Sequence, residues 1–195
     1  MNNFIILIPP SEGKQTGGEE HSITLHPIVT ELNPTQSNTP CLPAIKRYTG
    51  VLYKALDYNT IKHKKYIDEH VRILSGLFGM ITPKTPIPYY KYPITTKAAK
   101  KWNEENSKQL TEAFVIDLLP QAHKKSVEYT TGVEIEFTHT KNGKTIRSGH
   151  AGKHIKGRYL RWLAQQHITE EKDIYAFRED GYVWNGKTFH KTINQ

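Results

Sequence analysis

The stretch Arg72–Tyr92, RILSGLFGMITPKTPIPYYKY, decides how the rest of the chain is read. Val71 to Leu74 is a short apolar run of the kind shown by a strand buried on both faces. A Ser-Gly-x-x-Gly turn follows. Pro83, Pro86, Pro88 and Pro93 then hold the backbone extended, because proline fixes its own φ and restricts the residue before it. A proline-stiffened, tyrosine-studded loop after a strand is expected to wall a binding cleft, since binding groups collect on loops held by a rigid scaffold. The alternative is an ordinary surface connection.

Outward from this stretch, Phe4 to Ile8 is a continuous, β-branched-rich run stopped by Pro9 and Pro10, which predicts a buried first strand. Residues 17–43 are rich in Thr, Asn, Pro, Ser and His without periodicity, and read as a long irregular loop that could cover a site. Pro43 to Leu56 has mixed spacing that allows a strand, a helical turn or both. Thr96 to Leu110 has the composition of an exposed helix anchored by Trp102, and Phe114 to Leu119 is a third apolar run. Val133 to Phe137 and Thr145 to Arg147 flank Asn142-Gly143, the strongest short-range hairpin signal, so residues 133–147 are expected to form a β-hairpin. Ala151 to His167 predicts a helix with Ile155, Tyr159, Trp162 and Leu163 on one face and a basic opposite face. Ile174 to Phe177, Tyr182 to Trp184 and Phe189 read as short strands joined by Asp180-Gly181 and Asn185-Gly186 turns. The expected fold is mixed α/β (α+β), one domain over residues 1–195, with a central mixed sheet flanked by helices.

The length of 195 residues suffices for a full core. A formal charge of +8 predicts attraction to phosphate, whether in nucleic acid, nucleotides or anionic lipid. Cys41 is the one cysteine, which excludes an internal disulfide, a Cys-rich zinc site and a dithiol redox pair, and points to a reducing compartment. The early apolar run is too short for a signal peptide or membrane span. A soluble, cytoplasmic protein is expected, as a monomer and with no membrane partner. The ten histidines show no His-x-x-x-His pair beside a carboxylate, so neither a metal site nor a cofactor is expected.

Several groups could carry chemistry. Ser11-Glu12-Gly13-Lys14 lies just beyond the first strand, where α/β folds place ligand-binding loops. It lacks the glycine and the Ser/Thr of a Walker A loop. Ser11 and Lys14 match Ser-x-x-Lys, a pattern that arises by chance often enough to say little about a hydrolase. Lys14 is the better candidate as an anion contact, against a solvated loop lysine. Gly76-Leu77-Phe78-Gly79 is similar to the turn of a helix-hairpin-helix, but the prolines after it leave room for barely one helical turn. Gly76 and Gly79 are better read as permitting positive φ or close backbone approach beside a cleft. Lys153, Lys156, Arg158 and Arg161, with His150 and His154, could grip a phosphate backbone or could be a solvated face. Gly152 and Gly157 within that helix each cost about 1 kcal/mol relative to Ala, which suggests that something packs or binds closely there. Asp117 at a strand exit is a candidate general base, or a hydrogen-bonded structural aspartate.

Taken in order, Pro9 to Lys14, Arg47-Tyr48-Thr49-Gly50 with Leu52-Tyr53, Arg72 to Gly79 with Pro83 and Pro88-Tyr89, and Lys153 to Arg161 with Asp180-Gly181-Tyr182 resemble the YaaA peroxide-stress family. The resemblance implies a cytoplasmic mixed α/β protein that protects cells from hydrogen peroxide by limiting free iron, and so damage to DNA and protein. It also implies DNA binding. Its basic positions map to Lys14, Arg72, Lys153, Lys156 and Arg161, and its aromatic cleft residues to Tyr53 and Tyr89. Two departures stand out: a shorter segment between Lys14 and Arg47, and Thr82 where an arginine is usual.

The leading expectation is therefore a basic cleft for DNA or a nucleotide-like anionic ligand, drawing on Ser11, Lys14, Tyr53, Arg72, Ser75, Gly76, Gly79, Tyr89, Lys153, Lys156, Arg158 and Arg161. The runner-up is an enzyme acting on a nucleobase or nucleoside there, with Tyr89 or Phe78 stacking and Asp117 or Glu12 moving protons. A purely structural, partner-binding protein is the third.

Overall fold

A computed structural model describes residues 3–20, 24–33 and 40–192. At its centre lies β1 (Asn3–Ile8), paired in parallel with β3 (Val71–Ser75) on one side and β6 (Ala113–Asp117) on the other. β4 (Gly79–Ile81) adds antiparallel to β3, and β7 (Gly132–Glu134) adds parallel to β6. The order is β4-β3-β1-β6-β7. Phe4, Ile6 and Ile8 enter the larger core while Ile5 and Leu7 enter a smaller one on the opposite face. Burial on both faces is why this strand is apolar without alternation.

A second sheet has the order β10-β11-β8-β9, from β8 (Phe137–Lys141), β9 (Lys144–Arg147), β10 (Val183–Trp184) and β11 (Phe189–Lys191). β8 and β9 form a hairpin about Asn142 and Gly143, both at positive φ, as the Asn-Gly pair predicts. The hairpin begins at Phe137 rather than Val133, because Gly132–Glu134 extends the first sheet. Ile174 to Phe177 is not a strand. It follows a 3₁₀ turn at Glu171–Asp173, and Ile174 and Phe177 reach the core from irregular backbone.

The helices are α1 (Pro27–Leu32), α2 (Ala44–Arg47), α3 (Val51–Leu56), α4 (Lys64–His70), α5 (Thr96–Lys108) and α6 (Gly149–Gln165). α1 and the strand β2 (Cys41–Pro43), which pairs with β5 (Pro86–Pro88), interrupt the stretch 17–43 that composition alone gives as irregular. The remainder of that expectation at residues 21–23 and 34–39 lies outside the described residues. The predicted helix 151–167 spans Gly149–Gln165. Gly76 to Gly79 is the turn between antiparallel β3 and β4, so the two-helix arrangement of a helix-hairpin-helix is absent there. The fold is mixed α/β with a central mixed sheet flanked by helices, as expected. Among the described residues no helix is long and apolar enough to cross a membrane.

Candidate functional site

Parallel strands present their carboxyl ends on one edge of a sheet, and the loops leaving that edge commonly form ligand sites. Here the segments after β1 (Pro9–Lys14) and β6 (Leu118–His123) and the end of β7 with its exit (Glu134, Glu136) meet α6 and the Tyr90–Ile94 segment around one cleft of about 940 Å³.

The first wall is fixed by Ser11. Its Oγ donates to the Gly13 carbonyl (2.5 Å) and accepts from the amides of Thr49 and Gly50, each at 3.1 Å. A Cβ at Gly50 would lie 2.6 Å from Ser11 Cβ, so only glycine allows this approach. Lys14 Nζ donates to the carbonyls of Ser11 (2.9 Å) and Glu12 (3.4 Å), not to the serine hydroxyl. The Ser-x-x-Lys pattern therefore builds no catalytic pair. Lys14 Nζ sits 4.4 Å from the Tyr90 ring centroid, a cation–π contact, and burial lowers its pKa against the opposing pull of Glu12. Tyr53 lines the cleft and donates to the Pro9 carbonyl at 2.8 Å.

Behind this wall Arg47 is fully buried and donates to four main-chain carbonyls, those of Gln15, Gly17, Pro40 and Ile87. It ties the first loop to the β2–β5 ribbon.

The second wall is the proline-braced segment. Ser75 Oγ accepts from the amides of Leu77 and Phe78 and bonds Tyr90 Oη at 2.9 Å, which in turn meets Tyr48 Oη at 2.5 Å. Burial holds both phenols above their ordinary pKa, so they stay neutral. A Cβ on Gly76 would lie 2.8 Å from Ile94 Cα, and one on Gly79 2.5 Å from the Trp102 ring. Both glycines thus serve close approach, and Gly79 also has positive φ. Tyr90 lines the cleft. Tyr89 is 41% exposed and outside it.

The third wall is the first half of α6, where Gly149, Gly152, Lys153 and Lys156 face the cleft. Lys156 Nζ donates to the Leu118 carbonyl at 2.9 Å, and burial lowers its pKa although Asp117, Glu134 and Glu136 pull the other way. Lys153 is exposed and makes no salt bridge among the described residues. Gly157 serves packing: its Cβ would lie 2.3 Å from the Leu52 carbonyl of α3.

Ser75, Gly76 and Gly79 brace the second wall without lining the cleft, and Arg158, Arg161, Arg72 and Asp117 lie elsewhere. Arg158 pairs with Glu179, and Arg161 donates to the Leu56 and Asp57 carbonyls at 3.0 Å, so both tie α6 to its neighbours. Arg72 caps the carbonyls of Glu69 and Val71. Asp117 is buried and holds the Leu119 amide (2.7 Å), Lys124 (3.0 Å) and Tyr129 Oη (3.2 Å), the hydrogen-bonded structural alternative. Glu12 lines the cleft.

Sequence reading missed Tyr90, His123, Glu134, Glu136, Arg147 and Ser148, all on the cleft. Lys124 and Arg147 engage Glu134 (2.6 Å) and Glu136 (2.5 Å), so these carboxylates reach the cleft already paired. Nothing local in the sequence signals Glu134 and Glu136, which sit at the end of β7 and just after it, inside the run read as one hairpin strand. Among the described residues no group of three His, Cys, Asp or Glu side chains is placed to hold a metal ion.

Comparison with known proteins adds a lineage. Residues 22–188 match the family model described as "Peroxide stress protein YaaA". A UPF0246 protein of Corynebacterium glutamicum is 30% identical over 211 aligned positions, covering 83% of this chain and 85% of that protein. UPF0246 proteins of Lactobacillus delbrueckii and Neisseria meningitidis are each 28% identical, over 74% and 76% of this chain. The chain spans about two thirds of the length of those two relatives, 66% and 67%.

Proposed function

The chain belongs to the YaaA peroxide-stress family, and from that premise we propose that it acts in the cytoplasmic response to hydrogen peroxide, limiting iron-driven damage through a cleft that binds DNA or another phosphate-bearing ligand. One observation carries the reading: Lys14, Lys153 and Lys156 converge on a single cleft whose carboxylates Glu134 and Glu136 are already engaged by other cations. None of these three lysines makes a salt bridge among the described residues, although Glu12 lies near Lys14, and ammoniums outside salt bridges are suited to phosphate oxygens. The volume of about 940 Å³ lies in the range of small-molecule sites. From DNA such a cleft takes a nucleotide turned out of the stack or a single-stranded segment. Its effect on iron is then indirect.

A thermal-shift series with nucleosides, nucleoside phosphates and duplex or single-stranded DNA tests this. Phosphate-bearing compounds raise the melting temperature of the wild type and lose that effect in Lys153→Ala/Lys156→Met. Equal shifts in wild type and variant refute the reading. The second reading, an enzyme acting on the nucleobase, is supported by Glu12 on the cleft wall with no salt bridge among the described residues. It requires that uncharged nucleosides also bind and are altered.

A further inference from the structure

Ser148 occupies the N-cap position of α6, where a serine hydroxyl ordinarily accepts a hydrogen bond from an amide of the first helical turn. Here it makes no such cap. Its Oγ instead lies 3.0 Å from His139 Nδ1 and 2.9 Å from Tyr182 Oη. Ser148 is buried yet lines the cleft. The serine has thus exchanged its structural partner for an imidazole and a phenol, and the amides of the first turn are left without an intrahelical acceptor. Space beside this turn is uncrowded: a Cβ on Gly149 would meet nothing within 4 Å, and one on Gly152 only Ser148 Cβ at 3.5 Å.

We propose that Ser148 is a nucleophile and His139 its general base, forming an acyl-transfer site within the cleft for a small carboxylic ester that carries a phosphate. The proposal rests on the reading of the cleft as a phosphate site, because Lys153 and Lys156, one and two turns along α6, would hold the anionic part of the substrate. In the tautomer that accepts at Nδ1, His139 receives the Ser148 proton while Tyr182 donates to Oγ and fixes its direction. Ser148 Oγ bonds to the carbonyl carbon, and the carbonyl π pair moves onto oxygen, toward the amides of Gly149 and His150. Collapse of this adduct breaks the bond to the leaving alkoxide, which takes the proton from His139. Water then adds to the acyl-serine with the same base, releasing the acid and restoring the hydroxyl. No redox change occurs, and water is the only co-reactant.

The test is covalent labelling of the whole chain with a short-chain alkyl fluorophosphonate, in which a serine oxygen bonds to phosphorus as fluoride leaves. The proposal expects one adduct by intact mass, mapped to Ser148 in tryptic peptides and absent from Ser148→Ala. His139→Gln, which keeps a hydrogen-bonding side chain but cannot act as a base, should label about a hundredfold more slowly at unchanged melting temperature. No adduct, an adduct on another residue, or a rate indifferent to His139→Gln overturns it. Nucleotide-induced thermal shifts on the same samples separate the two levels: shifts without labelling remove the nucleophile and leave the binding reading standing.

Discussion

His123 is 9% exposed, and neither ring nitrogen has a hydrogen-bond partner among the described residues. Burial pushes its pKa from 6.5 down to about 4. The folded state therefore binds fewer protons than the unfolded chain between those values, so stability falls as pH drops from about 6.5 toward 4, by up to about 3 kcal/mol, and this group adds no further loss below. His123→Leu should remove that slope in urea melts taken across pH, with little cost at pH 8. Arg47→Met should be severe, because it removes one buried side chain's bonds to four main-chain carbonyls, that of Ile87 buried and those of Gln15, Gly17 and Pro40 partly so; a loss of about 3 kcal/mol is expected from the urea midpoint. Residue roles were only partly legible in the sequence. Lys14, Tyr53, Lys153 and Lys156 do line the cleft, but of the adjacent Tyr89 and Tyr90 only one can point inward from extended backbone. What selects Tyr90 is a bond to Ser75, fifteen residues away. The partners that occupy Arg158 and Arg161, Glu179 and the end of α3, are likewise distant in sequence.

At the scale of elements, the two glycines of α6 do different work. Gly157→Ala would drive a methyl into the Leu52 carbonyl and should cost about 2 kcal/mol or more by loosening the α3–α6 seam. Gly152→Ala, whose methyl would meet only Ser148 Cβ at an ordinary contact distance of 3.5 Å, should gain about 1 kcal/mol from helix propensity while narrowing the cleft and weakening ligand binding. Thermal melts with and without a nucleotide distinguish the pair. Elements with a strong local signal were readable: the three buried parallel strands, the Asn142-Gly143 turn and α6 all follow from periodicity or turn chemistry. Ile174 to Phe177 misled because its apolar residues are demanded by the aromatic cluster around Phe137, Tyr159 and Phe189, not by strand pairing. Local alternation makes 133–147 look like one hairpin because it cannot tell that Val133 pairs with Ile116 in the other sheet.

At the scale of the whole molecule, the parallel strands bring the Lys14 loop and the Leu118–His123 segment to one edge, and the second sheet delivers α6 across it. The tyrosine segment closes the remaining side through Gly76 and Ile94. That convergence underlies the functional account, which claims that the cleft lysines neutralise phosphates. Fluorescence anisotropy of a labelled single-stranded oligonucleotide, titrated across a salt series, measures this most directly. The account predicts that log affinity falls linearly with log salt concentration and that Lys14→Ala/Lys153→Ala makes the slope shallower by about 1.4. An affinity indifferent to salt, or an identical slope in the double variant, would contradict it.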